Sequence, residues 1–347
     1  MKRNACYIAL SAAMMMLTSC NHKELCFDHD GHVPSYMTDV RVSYDYNWEQ
    51  PYDGLTDWRA DWSSLGFDSG YDSLLPVKPE GIRMSAYNAD GTRLETNMSA
   101  DGEPVYLAPG ENSLLFYNND TEYIIFNDMG SYDEASATTR GRSRSSYKGN
   151  PYYVPQSGGK NNETTVSAPD VLFGHYIDSY YQNSNMHPQT LDITMHPLVF
   201  TYMIKYEFSH GYEYVALARG ALSGMAGSVY LHNGRTSDKA VTILYDCVLK
   251  PWGIQAEVKS FGIPDFPNPS YSRGDSDFAV TLEVRLKNGK ILNFYFNVTD
   301  QMRNQPHGGV ISVKGINISD SEGSGDSSGF DVSVDDWGEY EDVPVEL

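Results

Sequence analysis

A thiol stands where an acyl acceptor would be needed. Cys20 follows Leu17-Thr18-Ser19, at the end of an apolar run from about Cys6 to Met16 that Lys2 and Arg3 precede. A charged start and a short apolar core form an export signal, too short to span a bilayer. With Leu at −3 and Ser at −1, the segment looks like a lipobox, and cleavage would leave Cys20 as the first residue. Its thiol would take a diacylglycerol and its new amine a palmitate-type chain. Each buried methylene contributes about 0.8 kcal/mol, so several chains make a lasting anchor. Residues 1–19 are therefore read as a signal peptide, and no later apolar run reaches membrane-spanning length.

The densest set of metal-ligating types follows directly: His22, Cys26, Asp28, His29, Asp30 and His32. Zinc takes these donors, but a chelate needs held geometry. Residues 20–35 are polar, with Gly31 and Pro34, and read as a tether; no metal or other cofactor is assigned. The remaining histidines are scattered singly. No GxSxG, HExxH, P-loop or GxGxxG stands in a fitting context, and no carboxylate pair can be singled out. The chain reads as a non-enzyme. Cys26 and Cys247 are the two cysteines left over, and a disulfide between them is neither required nor excluded.

Loss of Lys2 and Arg3 leaves 23 basic residues against 46 acidic ones, a net charge of −23. Such a field repels phosphate, which argues against nucleic-acid partners. The Arg140-Gly-Arg142-Ser-Arg144 stretch lies among Ser, Thr and Gly and reads as a solvated loop.

Trp48, Tyr52, Trp58, Trp62, Phe67 and Tyr71 crowd one irregular segment, interleaved with Asp53, Asp57, Asp61 and Asp68. Flat rings beside carboxylates suit sugar stacking, with Trp48, Trp58 and Trp62 as the platform. They equally suit a long loop packed on a sandwich, and packing is the favoured reading. Ring exposure decides between the two.

The elements that must position these groups are strands nearly throughout. Val40 to Tyr46 alternates, the period-2 sign of a half-buried strand. Gly81 to Thr96 is a hairpin about Asn88-Ala89-Asp90-Gly91, and Ala279 to Val298 another about Asn288-Gly289, for which a type I′ turn is expected. Ser113–Tyr117, Glu122–Asn127, Val171–Gly174, Leu191–Met195, Leu198–Phe208, Ala216–Leu231 and Val241–Leu249 are further strands, with a small-residue corner at Ser223-Gly224-Met225-Ala226-Gly227. Many short strands with turns about every ten residues argue for β-sandwiches. Residues 131–163 are nearly free of aliphatic side chains and read as a mobile loop. The division is 36–190 for an N-terminal sandwich and 191–347 for a C-terminal one. The run Ser319 to Gly329 reads as a flexible linker, and Phe330, Val332 and Val334 alternate as a strand. That strand either docks in its own domain or is donated to a partner.

Several stretches together resemble the fimbrillin-type lipoproteins of Bacteroidales, the anchor and accessory subunits of type V pili. They are the lipobox with Asn21 to Cys26 and Asp28-His29, Pro197-Leu198-Val199-Phe200, Ala221 to Ala226, and Val332 to Trp337. The resemblance implies an all-β chain of two tandem transthyretin-like β-sandwich domains behind a lipoprotein signal peptide. It implies a lipid-anchored position at the outer membrane, facing outward, with pilin subunits as partners through strand exchange. In that family polymerising pilins lose their first segment to an arginine-specific protease, whereas anchors keep it; Arg41, in the first predicted strand, is a candidate for such a cut, and its flanks leave the choice between the two open. Asp72-Ser73-Leu74 matches the group's O-glycosylation pattern at Ser73. A surface glycan-binding lipoprotein is the alternative.

Overall fold

The computed structural model describes residues 35–50, 52, 56–143, 163–268, 278–324 and 341–343. The chain is all-β, and its strands build two sandwiches with a small sheet between them.

The first sandwich is one seven-stranded sheet turned on itself. Four strands form one layer: β2 (Gly81–Asn88), β3 (Arg93–Ser99), β5 (Gly110–Asn118) and β10 (Phe173–Gln182). Three form the other: β1 (Tyr36–Tyr44), β4 (Pro104–Leu107) and β11 (Gln189–Pro197). The layers join only where Phe173 pairs Pro197 and Gly174 pairs His196. This narrow corner lets the inner faces meet, and Val40, Met84, Leu114, Phe116, Phe173 and Ile193 pack between them. A Cβ on Gly174 would stand 2.6 Å from Leu198 Cδ1, so a larger residue at this corner would make the Leu198 side chain turn aside.

β11 corrects the boundary read at residue 190. It alternates Leu191, Ile193 and Met195 inward as expected, but it runs parallel to β1, Val40 opposite Leu191 and Tyr44 opposite Met195. Its partner lies some 150 residues earlier, which local patterning does not encode.

The second sandwich packs a four-stranded sheet of β12 (Phe200–His210), β16 (Val248–Lys250), β17 (Gly253–Ser260) and β20 (Gly309–Asn317) against a longer one. The longer sheet runs, in order, β19 (Ile291–Asn297), β18 (Ala279–Leu286), β13 (Val215–Ala226), β15 (Ala240–Asp246), β9 (Thr164–Ser167), β8 (Gly141–Ser143) and β21 (Glu341–Val343). Tyr202, Ile204, Leu222, Ile243, Val258, Leu282 and Ile311 lie in its core.

A three-stranded sheet of β6 (Ile124–Asn127), β7 (Ser136–Thr139) and β14 (Ser228–Tyr230) bridges the halves. Tyr117, Ala135, Ala137, Leu172, Val199, Val229 and Phe261 form its cluster. Here the mobile-loop reading of 131–163 fails in part. Ala135 and Ala137 are fully buried, and β7 pairs on both sides, with β6 and β14. Small side chains suffice where two sandwiches close on the strand. Arg140 and Arg142 lie over the ring of Tyr123, Arg140 exposed as the solvated reading expects and Arg142 half-buried. Residues 144–162 lie outside the described chain.

Both hairpins form at the expected places, with a different turn. Asn88 N–H donates to Thr92 O and Gly91 N–H to Asn88 O; Leu286 N–H donates to Lys290 O and Gly289 N–H to Leu286 O. Only the glycines take positive φ, 83° and 84°, so neither turn is type I′. Each is a tight turn closed by a left-handed glycine, the three-residue hairpin solution.

The linker reading from Ser319 also changes. Asp320–Gly323 is a single helical turn with a capping box: the Ser319 hydroxyl accepts from Glu322 N–H, and Ser319 N–H donates to the Glu322 carboxylate. Ser-x-x-Glu was present in the sequence as a helix-start signal.

Candidate functional site

The first strand is enclosed on both edges. β1 pairs β11 on one side over its last seven residues, and β4 on the other from Tyr36 to Asp39. Beyond β4 the loop after β3 takes over: Val40 N–H points at Glu103 O and Val42 N–H at Asp101 O, each 3.4 Å away. Gly102, at φ 88°, lies so close that a Cβ there would be 2.2 Å from Val40 O. Tyr36, Thr38 and Val40 turn inward and are buried, and Thr38 donates to Gln182 Oε1 at 2.5 Å.

Arg41 sits at the centre of this strand. Its side chain is 64% exposed and pairs with Asp39 at 3.2 Å, while its backbone lies between Asp192 of β11 and the Gly102 loop. A protease could reach the guanidinium but not thread the adjoining peptide without lifting β1 out of its sheet.

The aromatic segment packs. Asp57 caps α1 (Trp58–Leu65) by accepting from Ala60 N–H, and Gly66 ends it at φ 71°. The sequence reads here as a long loop with room for a helical turn; an Asp cap and a Gly stop nine residues apart mark the helix. α1 lays Trp62 beside Trp48, Leu74, Met203 and Val310, on the outer face of β12 and β20. Trp48 is 1% and Trp62 7% exposed, while Trp58 is half-buried against the same cluster. Trp62 Nε1–H donates to Ser69 O at 2.7 Å. Trp48, Trp58 and Trp62 therefore present no open row of rings, and the packing reading stands. Ser73 is exposed on a 3₁₀ turn, Tyr71–Leu74, its hydroxyl bonded to Gly70 O.

Two buried polar groups were not anticipated. His307 stacks on Phe200 with centroids 4.2 Å apart and meets the edge of Phe266. Burial pushes its pKa down to about 3, so the ring is neutral at ordinary pH. Arg219 Nε donates to Glu283 Oε1 at 2.6 Å, and both side chains are almost wholly inaccessible. Among the described residues no group of three or more His, Cys, Asp or Glu could hold a metal ion. Cys247 is half-buried against the second core, and Cys26 lies outside the described residues. Cys20, the His22–His32 cluster, Phe330, Val332 and Val334 also lie outside them.

Residues 68–246 match the family described as "Domain of unknown function (DUF5119)", over half of the chain. The chain belongs to this family. It is also 25% identical over 231 residues to a Bacteroides ovatus protein named "Putative fimbrium anchoring subunit Fim4B", and this bears out the fimbrillin-type resemblance. That alignment covers 66% of this chain and 56% of the relative, so the chain spans little more than half the relative's length. A crystal structure of a "putative adhesin" from Bacteroides ovatus superposes with a TM-score of 0.52 at 18% identity, over 84% of this chain and 97% of that one, and shares the fold. The fimbrial anchor protein Mfa2 of Porphyromonas gingivalis aligns with a TM-score of 0.43 at 10% identity, over 80% of this chain and 90% of that one.

Proposed function

We propose that this chain is a structural anchor or accessory subunit of a surface fimbrium, held in the outer membrane by lipid on Cys20 and facing outward. The observation that carries the reading is the similarity to the fimbrium anchoring relative over 231 residues. The state of β1 adds to it. A subunit that polymerises by giving up its first strand needs a strand that leaves; here that strand is paired along both edges, with Gly102 against its backbone. Retention of β1 suits a subunit that keeps its N-terminal lipid. The chain acts by binding pilin partners and carries out no catalysis. The packing of Trp48 and Trp62 offers nothing to the glycan-binding alternative.

The experiment is fractionation of cells carrying the native chain or Cys20→Ala, with partners captured from the membrane fraction. The native chain is expected in high-salt-washed membranes, with its β1 intact by mass spectrometry and fimbrial subunits bound. Cys20→Ala is expected in the soluble fraction, with fimbriae shed into the medium. Membrane retention of Cys20→Ala sinks the lipid anchor. A native chain cut after Arg41 sinks the anchor role in favour of a polymerising subunit.

A further inference from the structure

We infer that the cavity between the 3₁₀ turn Tyr71–Leu74 and the outer face of β12 and β17 receives one tyrosine side chain from a partner subunit. The inference rests on the reading of this chain as a binder of pilin subunits, and it names the place and the side chain. Alternation builds the floor. Tyr202 and Ile204 of β12 and Ala256 and Val258 of β17 point into the second core, so Thr201, Glu257 and Lys259 point outward. Thr201 N–H donates to Trp48 O at 2.8 Å, and Trp48 packs beside Met203 on this same face. Leu75, Pro76 and Val77, which follow the turn, line the cavity together with Val171 and Val199, which lead into β10 and β12. The space they enclose is about 180 Å³.

One donor sets the chemistry. Trp48 is 1% exposed, and its Nε1–H has no hydrogen-bond partner among the described residues. Buried polar groups are nearly always paired. The neighbouring indole obeys this rule, since Trp62 Nε1–H donates to Ser69 O. The rings of Trp62 and Tyr71, at 5.6 and 5.0 Å, hold the Trp48 ring in place. Its acceptor must therefore come to it, and the cavity that it lines is the way in. Size narrows the ligand to a single ring: an apolar cavity of about 150 Å³ takes benzene, whereas drug-sized ligands need about 300 Å³ or more. Phenylalanine and leucine would fill the space but bring no acceptor. Tryptophan brings a second donor, and methionine only a weak acceptor. Tyrosine supplies a ring for the apolar walls and a phenol oxygen for the indole N–H. The mouth suits a protein partner, because Val77 is 80% exposed and Glu257 and Lys259 offer both signs of charge to a main chain lying across them. An aromatic anchor in a desolvated pocket with a polar rim is how interfaces concentrate binding energy.

p-Cresol is the tyrosine side chain alone, and toluene is the same ring without the oxygen. In the full-length chain carrying ¹⁵N-labelled tryptophan, p-cresol should shift the Trp48 indole N–H resonance downfield; the resonance is identified by its absence from Trp48→Phe. p-Cresol should bind about fivefold more tightly than toluene, the worth of one neutral hydrogen bond, and Trp48→Phe should remove that preference. Val171→Phe fills the cavity. With its melt still cooperative, it should lose p-cresol binding and capture roughly 10-fold fewer fimbrial subunits from washed membranes, as loss of an anchor does. An unmoved Trp48 resonance in excess p-cresol, or equal affinity for toluene, overturns the inference. Native-level capture by folded Val171→Phe overturns it too and leaves the proposed function standing, whereas a native chain that captures no fimbrial subunit overturns both. If Val171→Phe loses its melt, Val77→Trp at the exposed mouth gives the same reading: reduced capture supports the inference, and unchanged capture overturns it.

Discussion

The carbonyl of Val40 and the α-carbon of Gly102 are in contact so close that no other residue fits position 102: an added Cβ would stand 2.2 Å from that oxygen. The backbone there is also left-handed, at φ 88°, where an L side chain is strained. The two penalties fall on one substitution. Gly102→Ala should therefore cost about 2–4 kcal/mol, lowering the midpoint of thermal unfolding by roughly 5–12 °C. Because the strain presses on β1, the variant should also become sensitive to an arginine-specific protease at Arg41. A variant that melts like the native chain and resists cleavage would show that the loop simply moves aside.

His307 makes stability depend on pH in a calculable direction. In the folded chain Nδ1 sits 2.9 Å from Gln50 Oε1, while Nε2 is buried with no hydrogen-bond partner among the described residues. Protonation would bury a charge, so the folded pKa drops to about 3. Unfolded, the ring titrates near 6.5. Between these values the unfolded chain binds a proton that the folded chain refuses, so stability is full above about 6.5 and falls as the pH drops toward 3. From pH 7 to pH 5 the loss should be about 2 kcal/mol. His307→Asn keeps an amide N–H near Gln50 but cannot titrate, so its urea midpoint should fall less over that range. Parallel pH profiles of the two proteins would refute the assignment.

The Arg219–Glu283 pair should behave as a unit. Removing one partner leaves an uncompensated charge at a buried site, a loss of about 3–5 kcal/mol, whereas replacing both with apolar residues of similar volume is often close to neutral. Arg219→Met and Glu283→Leu should each destabilise strongly, and the double variant should be more stable than either single one. Urea denaturation of the four proteins closes the cycle. Additive losses would mean that each side chain is held by other groups and the pairing is incidental.

What could be read from the chain depended on how local its cause was. The hairpins about Asp90-Gly91 and Asn288-Gly289 were legible because alternation and a turn glycine lie within twenty residues of each other. Even there the turn type was not, since only the glycine needed positive φ and Asn288 kept an ordinary backbone. α1 and the capping box at Ser319 were written in Asp57, Gly66, Ser319 and Glu322, but aromatic crowding and a Gly/Ser-rich context masked them. β7 escaped because Ala135 and Ala137 carry little hydrophobic signal; their burial comes from two sandwiches closing on them. The partner of β11 and the burial of Arg219 were beyond reach for the same reason: both are set by strands far apart in sequence. As for function, the lipobox and the fimbrillin-type motifs were visible from the start, whereas the enclosure of β1 exists only in the folded chain.

The Trp48–Trp62 contact tests whether the aromatic segment serves the fold or a ligand. Their rings meet edge to face at 5.6 Å, and Trp62 also stacks on Phe67 at 4.9 Å. Only one face of α1 is buried, and Trp62 is its sole buried residue. Trp62→Ala should thus cost about 3–5 kcal/mol locally, the usual range for emptying a large aromatic site. Since the sandwich cores are separate clusters, the loss should appear as detachment of residues 56–75 before global unfolding. Arg59, which now lies over the Tyr71 ring and pairs with Asp72 at 2.8 Å, should become the first tryptic site. The expected result is early cleavage after Arg59 in the variant and none in the native chain under the same digestion, with far-ultraviolet circular dichroism nearly unchanged. If cleavage is no faster, α1 is held by contacts other than Trp62, and the packing role assigned to that ring is wrong.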